Sequence, residues 1–156
     1  MENKEYTTSD VLKMFGINRS TFQSALDKGF IEPSINKSSK QGESNKFTIE
    51  DIYLIACYQQ MVKNTLQRKT AATFIKSLEK QKELFSELIK NNSIKNYVVL
   101  FVVNWSKFHP GEDDTAAILL DRVGTLRMLF DDEPEYVYML NLKTVYFIVN
   151  AALKKI

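Results

Sequence analysis

Cysteine, histidine, proline and glycine are all scarce in this chain of 156 residues. The one cysteine, Cys57, has no partner for a disulfide within the chain, and we expect it to be a buried helix residue. Together with the one histidine, His109, it supplies too few ligands for a zinc site of cysteine and histidine. Five glycines and three prolines are too few for a low-complexity linker protein. We therefore expect a globular chain without a metal or other cofactor.

Long apolar stretches are also missing. The longest strongly apolar run, residues 97–103, is far shorter than the roughly 20 residues that span a bilayer. The first residues, MENKEYTTSD, lack the apolar centre of a signal peptide. We find no phosphate-binding loop, nucleophile elbow or paired metal-ligand motif. These absences predict a cytoplasmic protein that is not an enzyme and has no membrane partner.

What the chain does contain is an ordinary globular composition, 44% hydrophobic and 26% charged. The net charge of +2 is unevenly distributed. Residues 1–80 hold 12 Lys and Arg against 9 Asp and Glu, whereas residues 81–156 hold 9 against 10. This mild excess of positive charge points a nucleic-acid partner to the first half.

Capping signals in the first half predict two short helices. Thr8 or Ser9 can cap a helix that ends at Gly16, and Asn18 can cap a second helix over residues 19–28. Two short helices joined by a three-residue turn predict a helix-turn-helix outline. Many other helical hairpins have the same spacing, so this pattern alone leaves both interpretations open.

The second of these helices has an apolar face and a polar face. Phe22, Ala25 and Leu26 share the apolar face. A recognition helix in the major groove presents short polar side chains near its N-terminal end, and Gln can pair bidentately with adenine. The candidate DNA contacts of this helix are Arg19, Ser20, Gln23 and Ser24. The alternative is that these residues form the solvated face of a small helix.

The polar segment 34–46 predicts a hairpin loop or wing, with a disordered solvent loop as the alternative. Its candidate phosphate contacts are Lys37, Lys40 and Lys46. A capping-box-like sequence then starts another helix at Thr48, which Asn64 can end in left-handed geometry.

Residues at nearly heptad spacing follow, apolar except at Gln81, which interrupts the pattern, and at Asn92. The positions are Phe74, Leu78, Gln81, Phe85, Leu88 and Asn92. They predict a linking helix over residues 76–94, whose seam either pairs two chains in a coiled coil or packs on its own domain.

The second half predicts a small unit with the order β-α-β-α. A buried strand over residues 97–104 precedes a turn, a helix over residues 115–130, a strand over residues 136–140 and a final helix capped by Asn141. This order favours two parallel strands joined by a crossover helix. We weigh a hairpin over residues 136–149 and reject it.

Several short motifs of the first half occur in a characteristic order. They are Tyr6-Thr7 with Val11, Gly16-Ile17-Asn18, Thr21-Phe22, Gly29-Phe30-Ile31-Glu32-Pro33 and Phe47-Thr48-Ile49-Glu50-Asp51-Ile52. Through them the first 75 residues resemble the winged helix-turn-helix domain of the MerR family of bacterial transcription regulators. Gln23, Ser24 and Ala25 replace the Arg-Tyr-Tyr common in that family, and Asn45 replaces its wing arginine. The family's DNA contacts therefore cannot be copied onto this chain.

We thus expect a mainly α protein with three parts. Residues 1–75 would form a winged helix-turn-helix domain, residues 76–94 a linking or dimerisation helix, and residues 95–156 a small dimerisation or effector domain. The resemblance implies a nucleoid-associated homodimer that binds double-stranded DNA and regulates transcription. The alternatives are a phage or plasmid architectural factor in recombination or segregation, and an adaptor that binds other proteins but no DNA.

Overall fold

The computed structural model describes residues 4–35, 45–131 and 136–156. Within these ranges the chain is mixed α/β, with eight α-helices, one 3-10 turn and two small antiparallel sheets. The elements are β1 (Tyr6–Thr7), α1 (Thr8–Phe15), α2 (Arg19–Asp27), β2 (Lys46–Phe47), α3 (Ile49–Lys63), α4 (Arg68–Glu79), α5 (Lys82–Lys90), a 3-10 turn (Ile94–Asn96), β3 (Val98–Val103), α6 (Trp105–Phe108), β4 (Thr115–Leu120), α7 (Arg122–Asp131), β5 (Val137–Asn141) and α8 (Leu142–Leu153). None of the helices in these ranges has the length and apolar character needed to cross a membrane.

A reciprocal cap fixes the start of α1 at Thr7, one or two residues before the predicted Thr8 or Ser9. The Thr7 hydroxyl accepts the Asp10 amide at 3.3 Å, and the Asp10 carboxylate accepts the Thr7 amide at 2.8 Å. The hydrogen bond from the Thr7 amide holds the pKa of the Asp10 carboxyl below its usual range. Thr7, the last residue of β1, is thus the cap because Asp10 lies three residues after it.

The start of α3 agrees with the sequence and its end does not. Thr48 caps α3 in a reciprocal pair with Asp51, as predicted. Asn64 is not left-handed: its φ is −83°, and its amide still bonds to the Gln60 carbonyl at 3.0 Å. The left-handed residue is Thr65, with a φ of 72°. The left-handed turn therefore lies at Thr65, one residue after the predicted Asn64, because the Asn64 amide still makes the last helical hydrogen bond.

The predicted linking helix is two helices. α4 ends at Glu79 and α5 begins at Lys82, with Gln81 outside helical geometry at φ −96° and ψ 23°. The apolar residues of the seam are buried in the chain's own core: Phe74, Leu78, Phe85 and Leu88. The heptad spacing is thus explained by packing within one chain, and the seam is not available for a coiled coil.

The second half has three antiparallel strands, so the predicted pair of parallel strands is wrong. Residues 115–120 form strand β4 rather than the first part of a helix, and the sheet order is β4-β3-β5. β3 is the central strand and pairs antiparallel with both neighbours. β4 forms because the backbone groups along the buried edge of β3 need hydrogen-bond partners. This requirement outweighs the low β propensity of the two alanines in β4.

Helices cover both faces of this sheet. Val99 and Phe101 of β3 face the large core shared with α4 and α8, whereas Leu100 and Val102 face Met128 of α7. Successive strand residues point to opposite faces, which is why β3 is apolar throughout. The prediction that this strand is buried on both sides is confirmed.

One hydrophobic core joins the two halves of the chain across residues 75 and 94. α8 packs against α3 and α1, and α4 packs against β4. Beyond α8, the Lys155 ammonium donates to the Met14 carbonyl at 2.9 Å, in the last turn of α1. Cys57 lies fully buried in this core, as predicted, and burial raises the pKa of its thiol.

Candidate nucleic-acid interface

A three-residue turn joins α1 to α2 and fixes where α2 begins. Gly16 has a left-handed φ of 62°, which glycine adopts without the steric cost that other residues have. Asn18 caps α2, and its Oδ1 accepts the Ser20 amide at 2.9 Å and the Ser20 hydroxyl at 2.7 Å. Both signals were predicted from the sequence. They make Arg19 the first residue of α2.

The two faces of α2 are divided as the sequence predicts. Phe22, Ala25 and Leu26 are buried against the core. The four candidate DNA contacts in this helix are Arg19, Ser20 and Gln23, which are exposed, and Ser24, which is half-buried. The structure therefore brings three of them together on one solvent-facing surface.

A hydrogen bond within α2 involves the candidate base-reading residue. The Gln23 side-chain amide donates from Nε2 to Oδ1 of Asp27 at 2.8 Å, on the exposed face. This bond was not predicted, although a spacing of four residues along a helix is the sequence signal for it. It orients the Gln23 amide and places a carboxylate at the C-terminal end of the surface.

The short sheet β1–β2 lies beneath α2. Tyr6 pairs with Phe47 and Thr7 with Lys46. The Phe47 ring is fully buried, with its centroid 6.0 Å from that of Phe22 in α2. This contact holds α2 on the strand that carries Lys46.

Lys46 is engaged in an ion pair. Its ammonium lies 2.6 Å from the Glu5 carboxylate, and both side chains are 44% exposed. Exposed pairs of this kind are weak, so Lys46 can exchange Glu5 for a phosphate at little cost.

Most of the predicted wing, residues 34–46, lies outside the described residues, and its two described ends are in contact at what we call the wing base. The Ile35 amide donates to the Lys46 carbonyl at 3.4 Å, as in a hairpin. Two of the candidate phosphate contacts, Lys37 and Lys40, lie outside the described ranges.

A buried carboxylate anchors this base to α3. Asp51 is 3% exposed, and its carboxylate accepts the Thr48 amide at 2.8 Å, the Ser34 amide at 3.0 Å and the Ser34 hydroxyl at 2.5 Å. The sequence predicts Asp51 only as part of the helix cap. The link to Ser34 connects residues 17 apart and has no local sequence signal.

We expect Asp51→Ala to lower the free energy of unfolding by about 2–4 kcal/mol, because the cap is lost and buried backbone donors lose their acceptor. Urea denaturation measures this change. Asp27→Ala is the control, since Asp27 is exposed and bonds only to Gln23 among the contacts above. Equal stabilities of the two variants would contradict the anchoring role.

Among the described residues, no three or more His, Cys, Asp or Glu side chains are arranged to hold a metal ion. Comparison of the chain with protein-family models and with curated proteins finds no match. The functional interpretation therefore depends on the geometry of α2, its supporting sheet and the wing base.

Proposed function

We propose that this protein is a sequence-specific DNA-binding regulator of transcription, acting as a homodimer on the nucleoid in the cytoplasm. In this proposal α1 and α2 are the helix-turn-helix, and the segment 34–46 is the wing. The main support is the outer surface of α2, where Arg19, Ser20 and Gln23 are exposed on a helix whose other face is buried. Recognition helices have this division of faces and read bases with N-terminal residues.

The charges of this region fit DNA approaching the N-terminal half of α2. Arg19 is exposed at the first position of the helix, where backbone amides also favour phosphate. Asp27 at the opposite end would repel phosphate. Lys46 contributes a cation from the neighbouring sheet, and Lys37 and Lys40 stay predicted phosphate contacts.

Selection of bound sites from a random duplex pool tests the proposal. We expect a consensus sequence, and binding that weakens steeply with salt because phosphate contacts release counterions. Failure to bind any duplex at low salt would overturn the proposal and favour the protein-interaction adaptor. A footprint at a recombination or partition site, instead of a promoter, would favour the architectural factor.

The surface that we propose for dimerisation lies on α7 and β5. β5 is an edge strand, and its Met139 is 56% exposed. Met139 is paired with Leu100, which faces α7, and paired residues project to the same side of a sheet. Met139 therefore lies on the α7 side, where Leu126 is 57% exposed. A second copy would cover both apolar side chains and the outer edge of β5, which pairs with no other strand among the described residues.

We expect wild-type protein to sediment as a dimer at micromolar concentration and the double variant Leu126→Glu, Met139→Glu as an 18.0 kDa monomer. Both side chains are exposed, so the stability of the monomer should change little. Phe147→Glu is the control, because Phe147 is 57% exposed on α8. A monomeric wild type, or a double variant that stays dimeric, would refute this interface.

A further inference from the structure

Three basic side chains from distant parts of the sequence line one cleft at an end of the three-stranded sheet. They are Lys95, Arg122 and Lys143. The cleft has a volume of about 490 Å³ and is completed by Asn96, Asp121 and Val123. This concentration of positive charge occurs in the half of the chain that has no overall excess of it.

The sheet topology brings these residues together. Val98, at the start of β3, pairs both with Leu120 at the end of β4 and with Asn141 at the end of β5. Because β3 is antiparallel to both neighbours, the residues before β3 and after β4 and β5 meet at the same end. The sheet topology thus places all three basic residues at this end of the sheet.

Helix polarity adds to the positive potential. Arg122 is the first residue of α7 and Lys143 the second of α8, and neither helix has an acidic residue in its first turn. The N-terminus of a helix carries partial positive charge, so cations there are unfavourable for the free protein. A bound anion would reverse this unfavourable interaction.

The other groups in the cleft leave it strongly cationic. Asp121 supplies the one carboxylate of the lining, and its Oδ1 already accepts the Gly124 amide at 2.7 Å. The Lys95 ammonium lies 5.5 Å from the centre of the Tyr146 ring, a contact that positions it. Val123 is 74% exposed and offers apolar surface beside the cations.

We propose that this cleft binds a phosphate-bearing anion. Three cations around one recess suit the multiple charged oxygens of a phosphate or pyrophosphate group, through charge-assisted hydrogen bonds. Clefts for small ligands have volumes of about 300–1,000 Å³, so the space holds more than one phosphate. The proposal does not rest on DNA binding by α2. A small phosphorylated molecule and the DNA backbone both offer this chemistry, and the experiment distinguishes them.

The first arm is calorimetric titration of inorganic pyrophosphate into the full chain. We expect saturable binding that weakens by at least about tenfold in the triple variant Lys95→Gln, Arg122→Gln, Lys143→Gln, since one charge-assisted hydrogen bond alone has an effect of this order. The control Lys63→Gln, Lys69→Gln, Lys76→Gln removes the same charge from exposed positions on α3 and α4. It should bind pyrophosphate like the wild type.

The second arm repeats the comparison with a duplex of random sequence. If pyrophosphate does not bind but duplex affinity falls in the cleft variant more than in the control, the ligand phosphate belongs to DNA. Thermal denaturation accompanies both arms, and the cleft variant should melt at or above the wild-type temperature because two unfavourable cations are gone. Equal affinities of the cleft and control variants for both probes would overturn the proposal, as would a wild type that binds neither.

Discussion

Phe101→Ala is expected to destabilise the whole chain by about 3–5 kcal/mol, the usual cost of truncating a fully buried phenylalanine. Phe101 lies in β3 and its ring stacks on Phe74 of α4, with centroids 4.7 Å apart and ring planes 5° apart. Tyr138 of β5 lies 5.8 Å from Phe74 and 6.3 Å from Phe101. This aromatic cluster joins the sheet to the helices, so its truncation should weaken both halves together.

Two spectroscopic probes can follow this unfolding in urea. The one tryptophan, Trp105, lies in α6 and reports on the C-terminal half, whereas far-UV circular dichroism reports on all the helices. Because one core spans both halves, we expect the two probes to show a single coincident transition in wild type and variant.

The matched control is Phe147→Ala, which truncates the same residue type at a 57% exposed position. It should change the free energy of unfolding by at most about 0.5 kcal/mol. A tryptophan transition that precedes the loss of helix signal would show that the halves unfold separately and would contradict the shared core.

The same burial changes what substitutions in the seam are expected to do. Leu78 is fully buried and Phe85 is 2% exposed. Lysine at both positions would place charges in the core, so it should unfold the chain and give no information on oligomeric state. Variants at exposed Leu126 and Met139 are the informative ones.

The presence of the first three helices, and the boundaries of α1 at Gly16, of α2 at Asn18 and of α3 at Thr48, could be predicted from the sequence because they depend on local chemistry. Asn18, Gly16 and Thr48 act on backbone groups within a few residues of themselves. The burial of Phe22 and the exposure of Gln23 follow from helix periodicity alone.

The sheet could not be predicted because strand pairing is not local. The residues of β4 (Thr115–Leu120) have apolar spacing that also suits a helix, and only β3 determines that they pair as a strand. One local signal was available: Asp121 is a residue type that caps helices, and in the structure its Oδ1 accepts the Gly124 amide in the first turn of α7.

The exposed residues of the candidate site could be predicted from the sequence, but the contacts that hold its elements in place could not. The sequence indicates which residues of α2 face outward. It does not indicate that Asp51 holds Ser34, that Glu5 pairs with Lys46, or that Lys155 bonds to the end of α1, since these contacts connect segments far apart or depend on strand register.

Gln23→Ala is expected to remove the preference for one base at one position of the bound site. A bidentate amide–adenine pair discriminates against other bases by about 1–3 kcal/mol, so the affinity for the consensus should fall by a corresponding factor. Nε2 of Gln23 has two hydrogens. One is donated to Asp27 at 2.8 Å, and the other, with the carbonyl oxygen, suits the adenine edge.

Asp27→Ala is the companion variant. Removal of the carboxylate should weaken base preference, because Gln23 loses the bond that orients it, and should strengthen binding to all duplexes, because a negative charge beside the DNA is gone. Gln23→Ala changes no charge and should leave the salt dependence of binding unaltered. If Asp27→Ala weakens base preference while it strengthens general affinity, then Asp27 orients the Gln23 amide. If Asp27 acts only through its charge, the variant should change general affinity alone.

Neutralising Lys46, Lys37 and Lys40 should act differently from Gln23→Ala. Each true phosphate contact that is lost should weaken binding to all sequences alike and lower the slope of log affinity against log salt by roughly one unit.

Phe22→Ala is the control for folding, because this fully buried ring supports α2 and its truncation should unfold the chain. Selection of bound sites and salt titration of these variants show whether α2 or the wing reads the bases. If Gln23→Ala retains both preference and affinity while the lysine variants alter sequence choice, then α2 is not the recognition helix and bases are read from the wing.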